Sequence, residues 1–396
     1  MEDDHTPWHA SAVELLHQGL LPQAEKHLRA APKTLTEHQR AYRDVLLIEV
    51  FLGQGKTKEA QALYERLLWT PWVRVRVEMQ GKVRRYTEYF LHVWAPRPYD
   101  VHTLEPLPAG CTLVGGSVCV QGGDLCVLAR SLNVSYDETK KELVHTADRW
   151  GRYLNTLFLN RMDSSFRTLD SGTVADRARY PRANDTFLGY EDPRVFVWNG
   201  TLWMTATTYQ LYNSGKAHTV LCKLQDDSVV SAAALQCPHM NDPQCHWLPW
   251  LHKETPHFVY KCNPWTVLRL DDAATGATTV VVEQLMDRWP TDGDVLRPAA
   301  GPVPYHSGYL VVLALAEGET RSLYRFVRLS AALIPTHMSS TWVLWEPELE
   351  TVQGMCVAGE YLYLTCGYHH KELRLTRFSL PLLDHCLSWY VLKTAE

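Results

Sequence analysis

The chain has 396 residues, 46% hydrophobic and 21% charged, which is length for more than one domain and too apolar a composition for wholesale disorder. Its 39 Lys and Arg against 44 Asp and Glu give a formal charge of −5, and it has no long basic block, so a nucleic-acid binder held by a basic surface is not expected. No run approaches about 18 uninterrupted apolar residues, and Met1-Glu2-Asp3-Asp4 is acidic where a secretory leader is basic, so the expectation is a cytoplasmic protein that does not bind membranes.

The first elements in chain order are helices, from residue 9 to about 70. Ala12, Leu15, Leu16 and Leu20 fall on one face at helical spacing, and Ala24 and Leu28 resume it after Gly19. The order returns 36 residues on, with Leu16, Gly19, Ala24 and Leu28 matched by Leu52, Gly55, Ala60 and Tyr64. This resembles a pair of tetratricopeptide-like helical hairpins. A peptide-binding groove for a protein partner and a structural cap are both open at this point.

The period then changes. Val73, Val75 and Val77 alternate with Arg74, Arg76 and Glu78, as in a strand. Strand-like runs recur to the C-terminus, among them Leu125–Ala129, Val195–Trp198, Leu202–Thr207, Phe258–Lys261, Thr279–Val282, Tyr309–Leu315, Tyr324–Leu329 and Tyr361–Cys366. The fold class is therefore mainly β. Residues 71–396 are too many for one simple sandwich and suit a five-bladed β-propeller of roughly 60 residues per blade, preceded by the helical residues 1–70.

The ten Cys include no CxxC pair and read as buried reduced thiols. Cys237, His239, Cys245 and His246 fit no standard zinc spacing, so no metal and no cofactor is expected. His369-His370 reads as a solvated turn. The sequons at Asn133, Asn184 and Asn199 read as chance occurrences.

The segment that carries chemistry is Gly189-Tyr-Glu-Asp-Pro-Arg-Val-Phe-Val-Trp198, followed by Asn199-Gly200 and a second strand. Two adjacent acids, Glu191 and Asp192, stand before a proline at the start of a strand, and Arg194 follows. Pro193 restricts the backbone of Asp192 toward the extended region. In an extended chain, Asp192 and Arg194 share a side. An ion pair, a polarised acid and a structural clamp are all compatible with these residues.

Glu191-Asp-Pro-Arg194 before a strand, Asn-Gly, strand hairpin resembles the signature of the five-bladed propellers of glycoside hydrolase family 130, which comprises β-mannoside phosphorylases and hydrolases with related β-mannosyltransferases. Other segments fall in the same order. Trp150-Gly-Arg-Tyr-Leu-Asn155 through Asp163, His246-Trp-Leu-Pro249 and Phe258–Pro264 resemble a branch of uncharacterised propellers of bacteria and large DNA viruses. Arg297-Pro-Ala-Ala-Gly-Pro302, Gln353-Gly-Met355 and Thr365-Cys-Gly-Tyr368 resemble the family's later blades. The resemblance spans about residues 120 to 380. It implies that Asp192 is the catalytic proton donor, with Glu191 and Tyr190 beside it as substrate-binding residues.

The departures bear on the reaction. Asn263 stands where the phosphorylases carry an Arg, and Leu313-Ala314-Leu315 where they carry a His. Arg is the residue best suited to gripping phosphate, so phosphorolysis is not expected. A hydrolase or a glycosyltransferase on β-mannoside-type glycans remains. Arg194, Lys261, Arg297 and Asn263 would bind substrate, and Trp247 or Trp265 would stack on a sugar face. The small-molecule partners expected are a glycan, a sugar nucleotide or a sugar phosphate. An inverting hydrolase needs a second carboxylate roughly 6.5–9.5 Å away, for which Glu254, Asp271, Asp294 and Glu350 are candidates by chain position. The contrasting reading is a catalytically inactive propeller that binds glycan or protein.

Overall fold

A computed structural model describes residues 7–32, 34–68, 100–104, 112–137, 142–145, 152–178, 187–211, 216–238, 247–286, 296–317, 321–345, 350–369, 371–386, 389–392 and 394. The expected strand at Val73–Glu78 lies outside them. The chain divides into two compact units, Met1–Ala95 with Arg288–Asp292, and Pro96–Asp287 with Gly293–Glu396.

The described part of the first unit is four helices, α1 (Pro7–His17), α2 (Leu21–Arg29), α3 (Glu37–Gly53) and α4 (Thr57–Leu68). The 36-residue sequence repeat has a physical basis. Gly19 and Gly55 both sit at positive φ, 69° and 72°, where they end one helix and let the chain turn into the next. Ala24 and Ala60 are buried at equivalent places, as are Leu28 and Tyr64. A capping box starts α3: Gln39 N donates to Thr36 Oγ1 at 3.2 Å, and Thr36 N donates to Gln39 Oε1 at 3.0 Å.

The second unit is a five-bladed β-propeller. Blade I is Thr112–Gln121, Asp124–Leu132, Tyr153–Met162 and Thr168–Thr173. Blade II is Glu191–Trp198, Thr201–Thr208, His218–Gln225 and Ser228–Ala234. Blade III is Leu248–His252, Thr255–Cys262, Trp265–Asp272 and Ala277–Gln284. Blade IV is Leu296–Tyr305, Gly308–Glu317, Arg321–Leu329 and Pro335–Ser339, and blade V is Glu350–Ala358, Tyr361–Tyr368 and Glu372–Ser379. Each blade is an antiparallel meander. All the strand-like runs named from the sequence after residue 120 fall inside these strands.

The turn chemistry explains the meanders. Gly122-Gly123, Asn199-Gly200, Asp226-Asp227 and Lys253-Glu254 join neighbouring strands with positive φ at both residues. That geometry matches the right-handed twist of the flanking strands. The five first strands pack side by side in chain order, and blade V returns to blade I, which closes the ring. The N-terminal strand Asp100–Thr103 pairs with Glu372–Ser379 as the fourth strand of blade V. Its Asp100 forms an ion pair with Arg377. A strand that precedes blade I in the chain thus completes the last blade and ties it to the start of the propeller.

Apolar clusters fill the spaces between adjacent blades, among them Val195, Met204 and Cys222 beside Cys126 and Leu128. Buried side chains also bond across blades. Val195 N donates to Ser117 Oγ at 2.7 Å, Gly116 N donates to Gln353 Oε1 at 2.7 Å, and Thr205 Oγ1 donates to the Trp247 carbonyl at 2.9 Å.

The C-terminal segment returns to blade IV. Trp389–Val391 pairs with Pro335–Ser339. In the short helix α5 (Leu380–Cys386), Asp384 accepts from Tyr305 Oη at 2.7 Å and pairs with Arg328, whose guanidinium stacks 3.7 Å from the Trp389 ring centre.

Burial lowers the pKa of four propeller histidines, His218, His252, His257 and His337, below the ordinary 6.5. The unfolded chain then binds more protons than the folded chain in this range, so stability rises with pH and is lost as pH falls through about 6.5. The unfolding midpoint in urea is expected to climb from pH 5 to pH 7 and to flatten above. A midpoint that falls over that interval would contradict this assignment.

Candidate functional site

Glu191 and Asp192 begin the innermost strand of blade II, so they lie at the end of the propeller where all five innermost strands start, the upper end here. The strand does not begin as extended chain. Asp192 has φ 47°, and the pairing with Thr201–Thr208 is irregular between Glu191 and Arg194. The expectation that Pro193 holds Asp192 extended is therefore corrected, and with it the simple alternation that put Asp192 and Arg194 on one side. A non-glycine residue at positive φ costs on the order of 1–3 kcal/mol and persists only where its surroundings impose it.

Those surroundings come from blade I. Arg130, near the upper end of its second strand, reaches Glu191 Oε1 at 3.2 Å and Asp192 Oδ1 at 3.5 Å. Its Nε donates to Asn155 Oδ1 at 2.8 Å. Asn155 Nδ2 donates to the Leu188 carbonyl at 3.1 Å and to Glu191 Oε1 at 3.4 Å. Gly189, at φ 88°, passes so close that a Cβ there would meet the Asn155 carbonyl. Gly189 N donates to Gln210 Oε1 at 2.9 Å. One arginine and one asparagine thus hold both carboxylates across a blade boundary. The side chains of Arg130, Glu191 and Asp192 keep 14%, 21% and 21% of their exposure, so the cluster is reachable from solvent. Arg130 was not singled out in the sequence. It stands in an ordinary strand about sixty residues from the acids, and no local motif marks it.

Arg194 has a different place from the one expected. It is 7% exposed and extends from the innermost strand of blade II to that of blade IV, where its Nη1 donates to the Ala299 carbonyl at 2.5 Å. Burial lowers its pKa, and the Asp192 charge opposes that shift. Its Nε has no partner among the described residues. Arg194 thus bridges two non-adjacent blades within the propeller. It also lines an axial cavity of about 230 Å³, whose wall runs on through Ser117–Val120, Val195–Val197, Leu248–Leu251, Gly301–Pro304 and Gln353–Val357. Neither Glu191 nor Asp192 lines that cavity.

Three other expectations are corrected by burial. Trp247 is 1% exposed and packs edge-on to Phe258 and Tyr260 in the core, and Trp265 is fully buried with Nε1 donating to the Leu333 carbonyl at 2.9 Å. Neither presents a face to a sugar. Tyr190 is 3% exposed, and its hydroxyl donates to Asp176 at 3.3 Å. The signal read as carbohydrate stacking is core aromatic packing, which uses the same residue types.

Lys261, Asn263 and Arg297 stand at the upper end, as do Glu191 and Asp192. Lys261 lies near the end of the second strand of blade III, Asn263 stands in the turn that leads to the third, and Arg297 is exposed near the start of blade IV. Lys261 Nζ sits 5.3 Å from the Tyr260 ring centre.

The second-carboxylate candidates fare poorly. Glu254 is an exposed turn residue at the opposite end, with φ 64°. Asp271 is held by Arg269 at 2.9 Å and receives a hydrogen bond from Thr279 Oγ1 at 2.5 Å. Glu350 is 3% exposed and accepts from Leu344 N at 2.8 Å and Trp345 N at 2.7 Å, so it fastens the segment that leads from blade IV into blade V. Asp294 lies outside the described residues, as do His239, Cys245, His246 and His370. Among the described residues, no group of three or more His, Cys, Asp or Glu is placed to hold a metal.

No family model matches the sequence, and no curated protein matches it. Among solved structures, the chain is similar to a β-1,2-mannobiose phosphorylase from Listeria innocua in complex with β-1,2-mannobiose. Identity is 12%, coverage is 72% of this chain and 99% of that one, and the TM-score is 0.49. It is similar to a glycosyl hydrolase from Bacteroides ovatus at 11% identity, covering 68% and 84%, with a TM-score of 0.46. It is similar also to a GH43_1 enzyme from Xanthomonas citri at 14% identity, covering 69% and 88%, with a TM-score of 0.43. Similarity of this degree does not carry substrate or mechanism to this chain.

Proposed function

We propose that the protein acts on β-mannoside-type glycans, as a glycoside hydrolase or a glycosyltransferase, with Asp192 as proton donor to the glycosidic oxygen. The observation that supports it best is the Glu191–Asp192 pair, partly exposed at the upper end of the propeller, with Asp192 at positive φ. Local strain of this kind accumulates at sites where a side chain must be aimed. Lys261, Asn263 and Arg297 stand at the same end and would bind a sugar, a sugar nucleotide or a sugar phosphate. Asn263 and Leu313-Ala314-Leu315 occupy the places where the resembling phosphorylases hold phosphate, which disfavours phosphorolysis. Arg130 and Asn155 join this reading as positioning residues.

A second reading has its own support. An arginine that ties two carboxylates of one blade to the next is a structural clamp in its own right, and none of the described candidates for a second catalytic carboxylate stands free at the upper end. The propeller would then bind glycan or protein without turning anything over. The helical hairpins, tetratricopeptide-like in their sequence repeat, would recruit a protein partner.

One assay separates the two. Wild type and Asp192→Asn are incubated with GDP-mannose, mannose-1-phosphate and β-linked manno-oligosaccharides, with and without phosphate, and products are read by mass. The expected result is product from wild type and a loss on the order of 10²-fold or more in Asp192→Asn, the scale of a general-acid contribution. Equal turnover by both proteins removes Asp192 as the acid. No product from either, with both folded, leaves the binding reading.

A further inference from the structure

The lower part of blade I carries Cys119 and Cys126 on the face packed against blade II, while Cys356 of blade V packs on its other face, and the carbohydrate reading uses none of the three. Cys119 and Cys126 are direct partners across the first two strands of blade I, each three residues from the Gly122-Gly123 turn. Directly opposed residues in an antiparallel pair have Cα atoms about 4.5 or 5.5 Å apart, and a disulfide spans about 4.4–6.8 Å. The opposed register therefore brings the two Cα atoms within the span of an S–S bond. The two thiols act on each other's ionisation, so that the pKa of Cys119 is raised and that of Cys126 lowered, and Cys126 Sγ lies 3.9 Å from Gln121 Oε1 as its donor.

The surroundings differ for the two sulfurs. Arg161, from the third strand of blade I, places Nη1 3.5 Å from Cys126 Sγ and also donates to Gln121 Oε1 at 3.1 Å. A neighbouring guanidinium favours the thiolate, which is the nucleophilic form. Asp124, nearby, acts in the opposite direction. Cys119 has less help, yet it lines the axial cavity with Cys356 of blade V. Cys126 has no exposure of its own and Cys119 is 8% exposed, so a small oxidant needs a transient local opening of the hairpin to reach the pair. All three cysteines are free thiols here.

We propose that Cys119 and Cys126 form a peroxide-responsive dithiol that closes to a cross-strand disulfide. The Cys126 thiolate sulfur attacks one oxygen of a hydroperoxide. The S–O bond forms, the O–O bond breaks, and the leaving oxide takes up the proton that Cys126 gave up. The Cys119 sulfur then attacks the Cys126 sulfur. The S–S bond forms and the S–O bond breaks, and hydroxide leaves with the Cys119 proton as water. Two thiols give up two electrons, and with hydrogen peroxide as the oxidant the products are one disulfide and two waters. The bond would lock the blade I hairpin beside the cavity. This proposal is independent of the reaction at Asp192.

The test uses the full chain, reduced, desalted and exposed to hydrogen peroxide. The expected result is an intact mass lower by two hydrogens, restored by dithiothreitol, with fragmentation placing the bond between Cys119 and Cys126. In Cys119→Ser, the mass loss is expected to vanish, and dimedone should instead trap a sulfenic acid at Cys126. If wild type after peroxide still offers both thiols to alkylation on unfolding, the proposal is wrong. It is equally wrong if the bond maps to another pair. The wild-type mass result decides the matter even if the variant fails to fold.

Discussion

Arg130→Met is expected to lower the unfolding free energy by about 2–4 kcal/mol, because it leaves Glu191 and Asp192 side by side with their shared cation gone. Methionine keeps most of the apolar stem, so the loss isolates the guanidinium. The partners are mostly covered, with 14% and 21% of side-chain exposure, and solvent replaces the lost charge poorly. Arg130 also donates to Asn155 Oδ1, so the variant loosens the segment that threads Gly189 past the Asn155 carbonyl. Arg130→Lys should recover only part of the loss, since an ammonium cannot reach both carboxylates and Asn155 with one planar fork. Urea denaturation of the three proteins checks the order. The coupling is tested by adding Glu191→Gln. In the Arg130→Met background, that change should cost less than it does in wild type, and strict additivity would show that the ion pair contributes nothing. If Asp192 is the proton donor, Arg130→Met also lowers turnover with little change in substrate affinity. A glycan-binding propeller without catalysis would show only the stability change.

Gly354→Ala is expected to destabilise the propeller by about 3 kcal/mol or more, the upper range of overpacking. Gly354 lies in the innermost strand of blade V, against that of blade I. A Cβ at this position would stand 2.5 Å from Ser117 Cα, 2.5 Å from Thr365 Oγ1 and 2.7 Å from Val118 N. Two of these are backbone atoms of the neighbouring blade, which cannot yield without moving a strand. Thr365 Oγ1 is also committed, as it donates to the Gly116 carbonyl at 2.7 Å. Gly359→Ala is the control. Gly359 needs φ 59° but has nothing within 4 Å of an added Cβ, so only the backbone penalty of about 1 kcal/mol is expected. Chemical unfolding of both variants distinguishes a ring-packing role from a turn role. Equal losses would mean that the close approach of blades V and I does not limit stability.

The Glu191-Asp-Pro-Arg194 segment shows where reading the chain stops. Its position at the start of a strand follows from Asn199-Gly200 and the alternation beyond, and both are local properties. The direction of Asp192 is not local. Pro193 alone predicts an extended residue, yet the contacts of Arg130 and Asn155 accompany a left-handed one. Trp247 and Tyr190 give the same lesson in reverse. Their chemistry suits a sugar site and a core equally, and only packing puts them at 1% and 3% exposure.

The sequence by itself determined the helical repeat and the run of strands and turns, and the length of the β region set the number of blades. Period, paired turn residues and glycine placement act over a few neighbours, so they are legible without the fold. The tertiary structure alone decided that Asp100–Thr103 completes blade V, that Arg130 joins the two acids, that Arg194 reaches Ala299 within the ring, and that Glu350 serves two backbone amides. Each of these links residues on different strands or blades. Ring closure sets their distances, and no local pattern in the chain records it.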